Sequence, residues 1–297
     1  MKKIDGVFAG GGIKSFAFVG AIRELKRKDI QLVRVAGTSA GALTAALLKA
    51  GYSSEEMEAL FDEVNFDQLL EPKKYPVFSS FYRWIRLYKT MGIYRGKIFE
   101  DWLFEALKQK GIMTFGDLEA GSLKMIASDL TTGQIIVLPD DLEKYGYIPE
   151  KFSVARAVRM SCSLPFFFEP VKLINSIGEE SVVVDGGVLS NFPIWLFADS
   201  SMERLKRPVL GFRLSPSTDN IAPIEVDNAI QMLQSLFDTM QKAHDQRYIS
   251  KKFSKNIVFI PTKDYPSSKF TITEDEKINL ITLGEKTTAQ FLRTWSY

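Results

Sequence analysis

Residues 32–50 read LVRVAGTSAGALTAALLKA, and this stretch says more about the fold than any other part of the chain. The apolar run at its start predicts a strand, and the small, alanine-rich run after it predicts a helix. Between them lies G-x-S-x-G, in which Gly37 and Gly41 flank Ser39. A serine in a sharp strand-to-helix turn can act as a nucleophile, and glycines beside it avoid collisions with the neighbouring elements. Ser39 is therefore a candidate nucleophile, although the motif alone leaves an ordinary glycine turn open.

The composition is that of an ordinary globular protein, with 297 residues, 45% hydrophobic and 25% charged. The net charge of +2 is too small to indicate nucleic-acid binding. The single cysteine, Cys162, cannot form an intrachain disulfide, which fits a reducing compartment. No apolar run near the start has the length of a signal peptide, and no window approaches the roughly 18 apolar residues of a membrane span. We expect a cytoplasmic protein, with peripheral contact to a membrane left open.

The chain also contains one histidine, His244. With one histidine and one cysteine, a zinc site of the common kind is not expected, and no other metal or cofactor is indicated. A Ser-His-Asp triad would have to use His244. This residue follows an apolar stripe in a predicted helix over 225–252, where a half-buried packing histidine is the simpler interpretation.

Strand and helix patterns alternate along the chain, which predicts an α/β fold with a mostly parallel central sheet flanked by helices. We find no convincing domain boundary and expect one domain over 1–297. The predicted strands cover 4–9, 32–36, 123–128, 134–138, 182–184, 208–213 and 256–261. The predicted helices cover 14–28, 40–50, 54–63, 66–90, 97–110, 152–161, 225–252 and 273–295, the last with Thr273 and Glu276 at capping-box positions.

A second glycine motif, Gly10-Gly11-Gly12-Ile13-Lys14, ends the first predicted strand. Consecutive N–H groups in such a loop can bind an anion. The spacing fails the Walker A pattern, and the dinucleotide pattern lacks its third glycine. An oxyanion hole or a structural turn remains. Because the loops after adjacent parallel strands leave the same edge of a sheet, we expect this loop to lie near Ser39.

A third motif, Asp185-Gly186-Gly187, follows a valine-rich strand. We expect Asp185 at the same edge of the sheet as the two glycine loops, where a carboxylate could act as a base. A turn aspartate before glycines is the alternative interpretation.

Together these motifs resemble the patatin-like phospholipase family. The shared blocks are G-G-G-x-K at 10–14, G-x-S-x-G at 37–41, SCSLPFFFEPV at 161–171 and D-G-G-V-x-x-N-x-P from 185. They occur in the family's order within residues 4–215. The resemblance implies a three-layer α/β sandwich.

The resemblance also implies a serine acyl hydrolase that cleaves carboxylic esters of lipids, of the phospholipase A or lysophospholipase type, through an acyl-enzyme. Ser39 would be the nucleophile, Asp185 the base, and Gly10, Gly11 and Gly12 the oxyanion hole. Three alternatives stay open: a non-catalytic lipid-binding protein, a Ser-His-Asp esterase of small soluble esters, and a phosphate-binding module.

Residues 72–99 combine seven basic residues and eight aromatic residues with no aspartate or glutamate. Such a segment suits the surface of an anionic membrane, with aromatic side chains at the headgroup level. A helix with buried aromatic and solvated basic residues is the simpler alternative, and binding to nucleic acid is not expected. We predict a helical, cap-like insertion at about 66–110, with lipid or fatty-acyl esters as substrate.

Overall fold

A computed structural model describes residues 2–63, 87–197, 207–214, 254–262 and 272–296, together with residues 232, 235–236 and 239–240. The predicted helix over 225–252, including His244, lies almost entirely outside the described residues. The predicted helix over 66–90 lies outside them up to residue 86.

The described chain alternates strands and helices around one eight-stranded sheet, which confirms the α/β class with a central sheet flanked by helices. The strands are β1 (Lys2–Phe8), β2 (Ile30–Thr38), β3 (Gly92–Tyr94), β4 (Leu123–Asp129), β5 (Gln134–Leu138), β6 (Phe166–Phe168), β7 (Val171–Ile174), β8 (Glu180–Asp185), β9 (Val209–Leu214) and β10 (Ile257–Ile260). The helices are α1 (Phe16–Arg27), α2 (Ala40–Lys49), α3 (Ser54–Glu63), α4 (Lys97–Gln109), α5 (Val154–Ser161) and α6 (Glu274–Thr294).

The strand order in the large sheet is β10-β9-β1-β2-β4-β8-β7, and β5 also pairs with β4. The five strands from β10 to β4 are parallel, as predicted. Strands β5, β7 and β8 are antiparallel to their neighbours. Phe8 pairs with Gly37, so the loops that follow β1 and β2 leave the sheet side by side.

The central strand β1 is buried on both faces. Ile4 and Phe8 belong to the larger core cluster, whereas Val7 and Ala9 belong to a second cluster. Successive side chains of a strand point to opposite faces, so these clusters lie on opposite sides of the sheet. Residues 4–8 of this strand are accordingly all buried. They include Asp5, whose carboxylate forms ion pairs with Arg34 and Arg207.

Helix α6 begins where its sequence indicates. The Glu276 N–H donates to Thr273 Oγ1 at 3.3 Å, and the Glu276 carboxylate accepts from the Thr273 N–H at 3.0 Å, which completes the predicted capping box. None of the described helices combines the length and the apolar composition that a bilayer span requires.

Three short strands were not predicted from the sequence. Strands β3 and β6 pair parallel in a separate two-stranded sheet, and β7 lies at the edge of the large one. Each has only three or four residues, and the Phe-Phe-Phe run of β6 has no alternation of polar and apolar side chains. Segments this short fall below the length at which periodicity is informative.

The predicted cap-like insertion at about 66–110 is described only from residue 87. Its last part forms α4, in which Leu103 and Leu107 are buried in the larger core cluster. Helix α4 therefore packs as part of the body of the protein. The cap stays a prediction for the residues that precede this helix.

Candidate active site

Ser39 lies at the junction of β2 and α2 in a backbone conformation that is rare for a residue other than glycine. Its φ is 54° and its ψ is −126°. A β-carbon on Gly37 would lie 2.3 Å from the carbonyl oxygen of Gly41, and one on Gly41 would lie 2.3 Å from the carbonyl oxygen of Phe8. Only glycine fits at either position. The turn is therefore as sharp as a nucleophile elbow requires.

A strained conformation of this kind costs on the order of 1–3 kcal/mol and persists only where its surroundings hold it. The Ser39 N–H donates to Ser161 Oγ at 2.9 Å, and the Ser161 hydroxyl donates to the carbonyl oxygen of Ile126 at 2.6 Å. Ser161 thus connects the elbow to strand β4. The Ser39 side chain is half-buried, so it is partly accessible to solvent.

Asp185, at the end of β8, is 1% exposed. Its Oδ1 accepts the N–H of Gly187 at 2.7 Å, and its own N–H donates to the carbonyl oxygen of Ser163 at 2.9 Å. Burial raises the pKa of the Asp185 carboxyl to about 7, although hydrogen bonding with the Ser39 side chain and the Gly187 N–H lowers it in part. The structure therefore brings Ser39 and Asp185 together, and the carboxylate can accept a proton near neutral pH.

The position of Asp185 beside Ser39 depends on the register in which β8 pairs with β4. Because β8 is antiparallel to β4, its carboxyl end would normally lie at the opposite edge from the carboxyl ends of β1 and β2. Asp185 pairs with Ala127, and the preceding residue of β4, Ile126, pairs with Thr38. Strand β8 therefore stops level with the elbow, before it reaches the far edge of the sheet.

The glycine loop after β1 lies against the elbow. A β-carbon on Gly10 would lie 3.3 Å from the Ser39 β-carbon and 2.3 Å from Asn191 Oδ1. The Gly10 N–H donates to the carbonyl oxygen of Asn191 at 3.0 Å and is thereby occupied. Within the described part of the chain, no backbone oxygen accepts the N–H of Gly11 or Gly12. The Gly11 and Gly12 N–H groups therefore differ from that of Gly10, which a backbone acceptor occupies.

Three residues that contact the site were not predicted as site residues from the sequence: Ser161, Cys162 and Asn191. Ser161 is 122 positions from Ser39, and Asn191 is 181 positions from Gly10. The Cys162 thiol interacts with the Ser39 and Asp185 side chains, and burial raises its pKa, so it stays protonated at neutral pH. Their only signal in the sequence was membership of the SCSLP and V-x-x-N-x-P blocks.

Two other chemistries, a metal site and a Ser-His-Asp triad, depend on histidine, cysteine and acidic side chains. No group of three or more histidine, cysteine, aspartate or glutamate side chains there is arranged to hold a metal ion. His244 lies outside the part of the chain that the structure describes.

A family model for patatin-like phospholipase matches residues 6–198. The chain belongs to the patatin-like phospholipase family. The blocks on which the resemblance was drawn all begin and end within the matched residues, so the resemblance is confirmed. Family membership supports lipid hydrolase activity in general terms.

Relatives of this patatin-like chain include one that matches over nearly its whole length and one that matches over part of it. Protein YqhO of Bacillus subtilis is 48% identical over 294 residues, which cover 99% of both chains. A cUMP-AMP-activated phospholipase of Escherichia coli is 26% identical over 209 residues, which cover 65% of this chain and 57% of that protein.

Two solved structures share the fold of this patatin-like chain. VipD from Legionella pneumophila has a TM-score of 0.57 at 18% identity, with 98% of this chain and 67% of VipD covered. The type III effector ExoU has a TM-score of 0.53 at 16% identity, with 98% of this chain covered. The chain spans about half of ExoU, 53% of its length.

Proposed function

We propose that this protein is a serine acyl hydrolase that cleaves carboxylic esters of lipids, of the phospholipase A or lysophospholipase type, with Ser39 as nucleophile and Asp185 as base. The observation that carries the proposal is the interaction of the half-buried Ser39 side chain, on a strained elbow, with a fully buried carboxyl group. Strain at a serine and a raised carboxyl pKa in one place are typical of a catalytic site.

In the first step, Asp185 accepts the Ser39 hydroxyl proton while Ser39 Oγ attacks the ester carbonyl carbon. An aspartate is ordinarily a weak base for a serine hydroxyl, so the proton must move as the new C–O bond forms. The N–H groups of Gly11 and Gly12 donate to the oxyanion, and the Gly10 N–H holds the loop in place through Asn191. In this proposal two of the three glycines predicted for the oxyanion hole are hydrogen-bond donors, and the third fixes the loop.

In the second step, the tetrahedral intermediate collapses and the ester C–O bond breaks. The proton on Asp185 passes to the leaving alcohol, and the acyl group stays on Ser39. Asp185 then takes a proton from a water molecule that attacks the acyl carbonyl. Ser39 regains a proton when it leaves, so the net reaction turns ester and water into carboxylic acid and alcohol.

Fluorophosphonate labelling tests the nucleophile directly. We expect an alkyl fluorophosphonate to label the protein covalently and Ser39→Ala to abolish labelling, because the reagent phosphonylates an activated serine hydroxyl. Ser176→Ala, at an exposed serine, is the matched control and should label like the wild type. Intact-mass measurement gives the stoichiometry. Labelling of folded Ser39→Ala at the wild-type rate would contradict the assignment.

We also propose that residues 72–99 contact an anionic membrane surface. Residues 87–99 support this, because Tyr88 is 90% exposed, Met91 is 41% exposed, and the stretch has three basic residues and no acidic one. A basic side chain near such a surface contributes about 1 kcal/mol.

Vesicle binding tests this contact. We expect Lys89→Gln to weaken partitioning onto phosphatidylglycerol-containing vesicles about fivefold, since one cation is lost. Lys286→Gln, the same change on an exposed position of α6, should have a smaller effect. Co-sedimentation at several salt concentrations measures both. Partitioning that is insensitive to salt would rule out the electrostatic contribution.

A further inference from the structure

One short turn holds both members of the proposed pair. Ser161 Oγ accepts the N–H of Ser39 at 2.9 Å, and the carbonyl oxygen of Ser163 accepts the N–H of Asp185 at 2.9 Å. The two contacts come from residues only two positions apart, at the end of α5. A shift of this turn would therefore move Ser39 and Asp185 relative to each other.

Arg159, one helical turn earlier in α5, fixes this turn from inside the protein. The side chain is buried, with 2% exposure. Its Nη1 donates to Ser163 Oγ, and the Ser163 hydroxyl donates to the Arg159 carbonyl oxygen at 2.7 Å. Its Nε donates to the Gly96 carbonyl oxygen at 3.2 Å, and Nη2 donates to those of Arg95 and Glu169 at 2.7 Å each.

This set of contacts requires the planar, forked donor group of arginine. The Arg159 guanidinium carbon also lies 4.8 Å from the centre of the Phe168 ring. A β-carbon on Gly96 would lie 2.1 Å from Arg159 Nε, so the loop closes tightly over the side chain. Burial lowers the pKa of the Arg159 guanidinium, and the charges of Glu100 and Glu169 oppose this, although neither carboxylate forms an ion pair with it among the described residues. Its role is therefore geometric, because it binds three carbonyl oxygens and one hydroxyl at fixed positions.

We propose that Arg159 is a positioning residue for the Ser39–Asp185 pair and that it acts through Ser163. The proposal rests on the proposed function, since it concerns the same two side chains. Arg159 holds the turn that keeps the Asp185 carboxyl dry and aligned with Ser39. It also joins this turn to the loop at 95–96 and to the end of β6.

The test measures the second-order rate of fluorophosphonate labelling of the full chain as a function of pH. For the wild type we expect the rate to rise with an apparent pKa near 7, since Asp185 must be deprotonated to act. Arg159→Met should lower the rate about 100-fold, because small displacements of reacting groups have effects of that size. It should also move the apparent pKa down, because a loosened carboxyl gains contact with water.

Arg156→Met is the matched control. Arg156 lies in the same helix, and among the described residues its side chain donates one hydrogen bond, from Nη2 to the Lys172 carbonyl oxygen at 3.4 Å. It should keep both the rate and the apparent pKa. On a soluble ester, Arg159→Met should lower kcat and leave KM nearly unchanged, which separates positioning from loss of substrate binding.

Ser163→Ala provides the test if Arg159→Met does not fold, which a lack of cooperative thermal unfolding would show. It removes the hydroxyl that Arg159 binds and keeps the carbonyl group that accepts from Asp185. We expect about a tenfold slower labelling, because one charge-assisted hydrogen bond is lost. Wild-type rate and apparent pKa in Ser163→Ala, or in folded Arg159→Met, would overturn the proposal. Labelling that persists in Ser39→Ala would instead refute the proposed function, whatever the result at Arg159.

Discussion

Asp185→Asn is expected to remove ester hydrolysis and, at the same time, to stabilise the folded protein above neutral pH. Loss of a general base costs about 10²- to 10⁴-fold in rate. Asparagine has the same shape, and its side-chain oxygen can still accept the Gly187 N–H that lies 2.7 Å from Asp185 Oδ1. The amide cannot take the Ser39 proton, so the chemistry is lost while the packing is kept.

The sign of the stability change follows from the pKa of Asp185. That pKa is raised from 3.8 to about 7 in the folded protein. Below the unfolded value both states hold the proton. Between the two values the folded state binds one proton more than the unfolded state, so stability falls as pH rises until the folded pKa is passed. The full difference corresponds to about 4 kcal/mol, as an upper estimate. Asparagine carries no charge and avoids this loss.

The measurement is the free energy of unfolding by urea at two pH values. From about pH 5.5 to about pH 8 the advantage of Asp185→Asn over the wild type should grow by about 2 kcal/mol, since the difference in bound protons persists up to about pH 7. An advantage that is constant across this range, or a destabilised variant at the higher pH, would show that Asp185 is not held in a dry environment.

Asp129→Asn is the matched control, and it should change the stability of the protein in the opposite direction. Asp129 is also fully buried, and it also lies at the end of a strand, β4. Burial alone would raise its pKa, but hydrogen bonds from Thr132, Thr131 and Tyr145 outweigh burial and lower it. The charged form of Asp129 therefore stabilises the fold above the unfolded pKa, and its replacement should destabilise the protein at about pH 8.

The two loops nearest the site show what a local pattern can predict. The β1-α1-β2 order places the loop at Gly10 beside Ser39, because consecutive parallel strands lie side by side in the sheet. The strand-to-helix turn and its glycines were likewise visible in a short window. Both features depend on residues that are close in the sequence, which is why the sequence indicated them.

Asp185 shows where that reasoning ends. The valine-rich strand before it indicates burial but not direction, and β8 turned out to be antiparallel to β4. Whether Asp185 lies level with Ser39 depends on the residue at which the pairing of β8 with β4 ends. The occupied N–H of Gly10 likewise depends on Asn191, and the elbow depends on Ser161. These contacts join distant parts of the chain, so no window of sequence contains them.

Glycines inside helices show a second limit of prediction from sequence. Such a glycine can simply weaken its helix, or it can allow another helix to pack closely against it. Gly20 lies inside α1 and Gly284 inside α6. By helix propensity, alanine would stabilise either helix by about 1 kcal/mol. The structure reverses this expectation. A β-carbon on Gly20 would lie 1.9 Å from the Ile281 carbonyl oxygen, and one on Gly284 would lie 1.8 Å from the Ala17 carbonyl oxygen.

Gly20→Ala and Gly284→Ala are therefore each expected to destabilise the protein severely. The obstructing atoms are backbone atoms, which cannot rotate away as the end of a flexible side chain could. The helices would have to move apart at a contact where both carry glycine, and core packing on α1 would be lost with that movement. Overpacking of a core typically costs about 1–3 kcal/mol, and the effect here should reach or exceed the top of that range.

Asn279→Ala is the control that separates packing from propensity. Asn279 lies on the exposed face of α6, so alanine there removes no buried contact and favours the helix by a few tenths of a kcal/mol. Thermal unfolding should therefore show opposite signs for Gly284→Ala and Asn279→Ala, although both place alanine in one helix. If Gly284→Ala were as stable as the wild type, α1 and α6 could not cross as closely as the structure has them. The glycine pair would then be explained by conformational freedom alone, which a position inside a regular helix does not require.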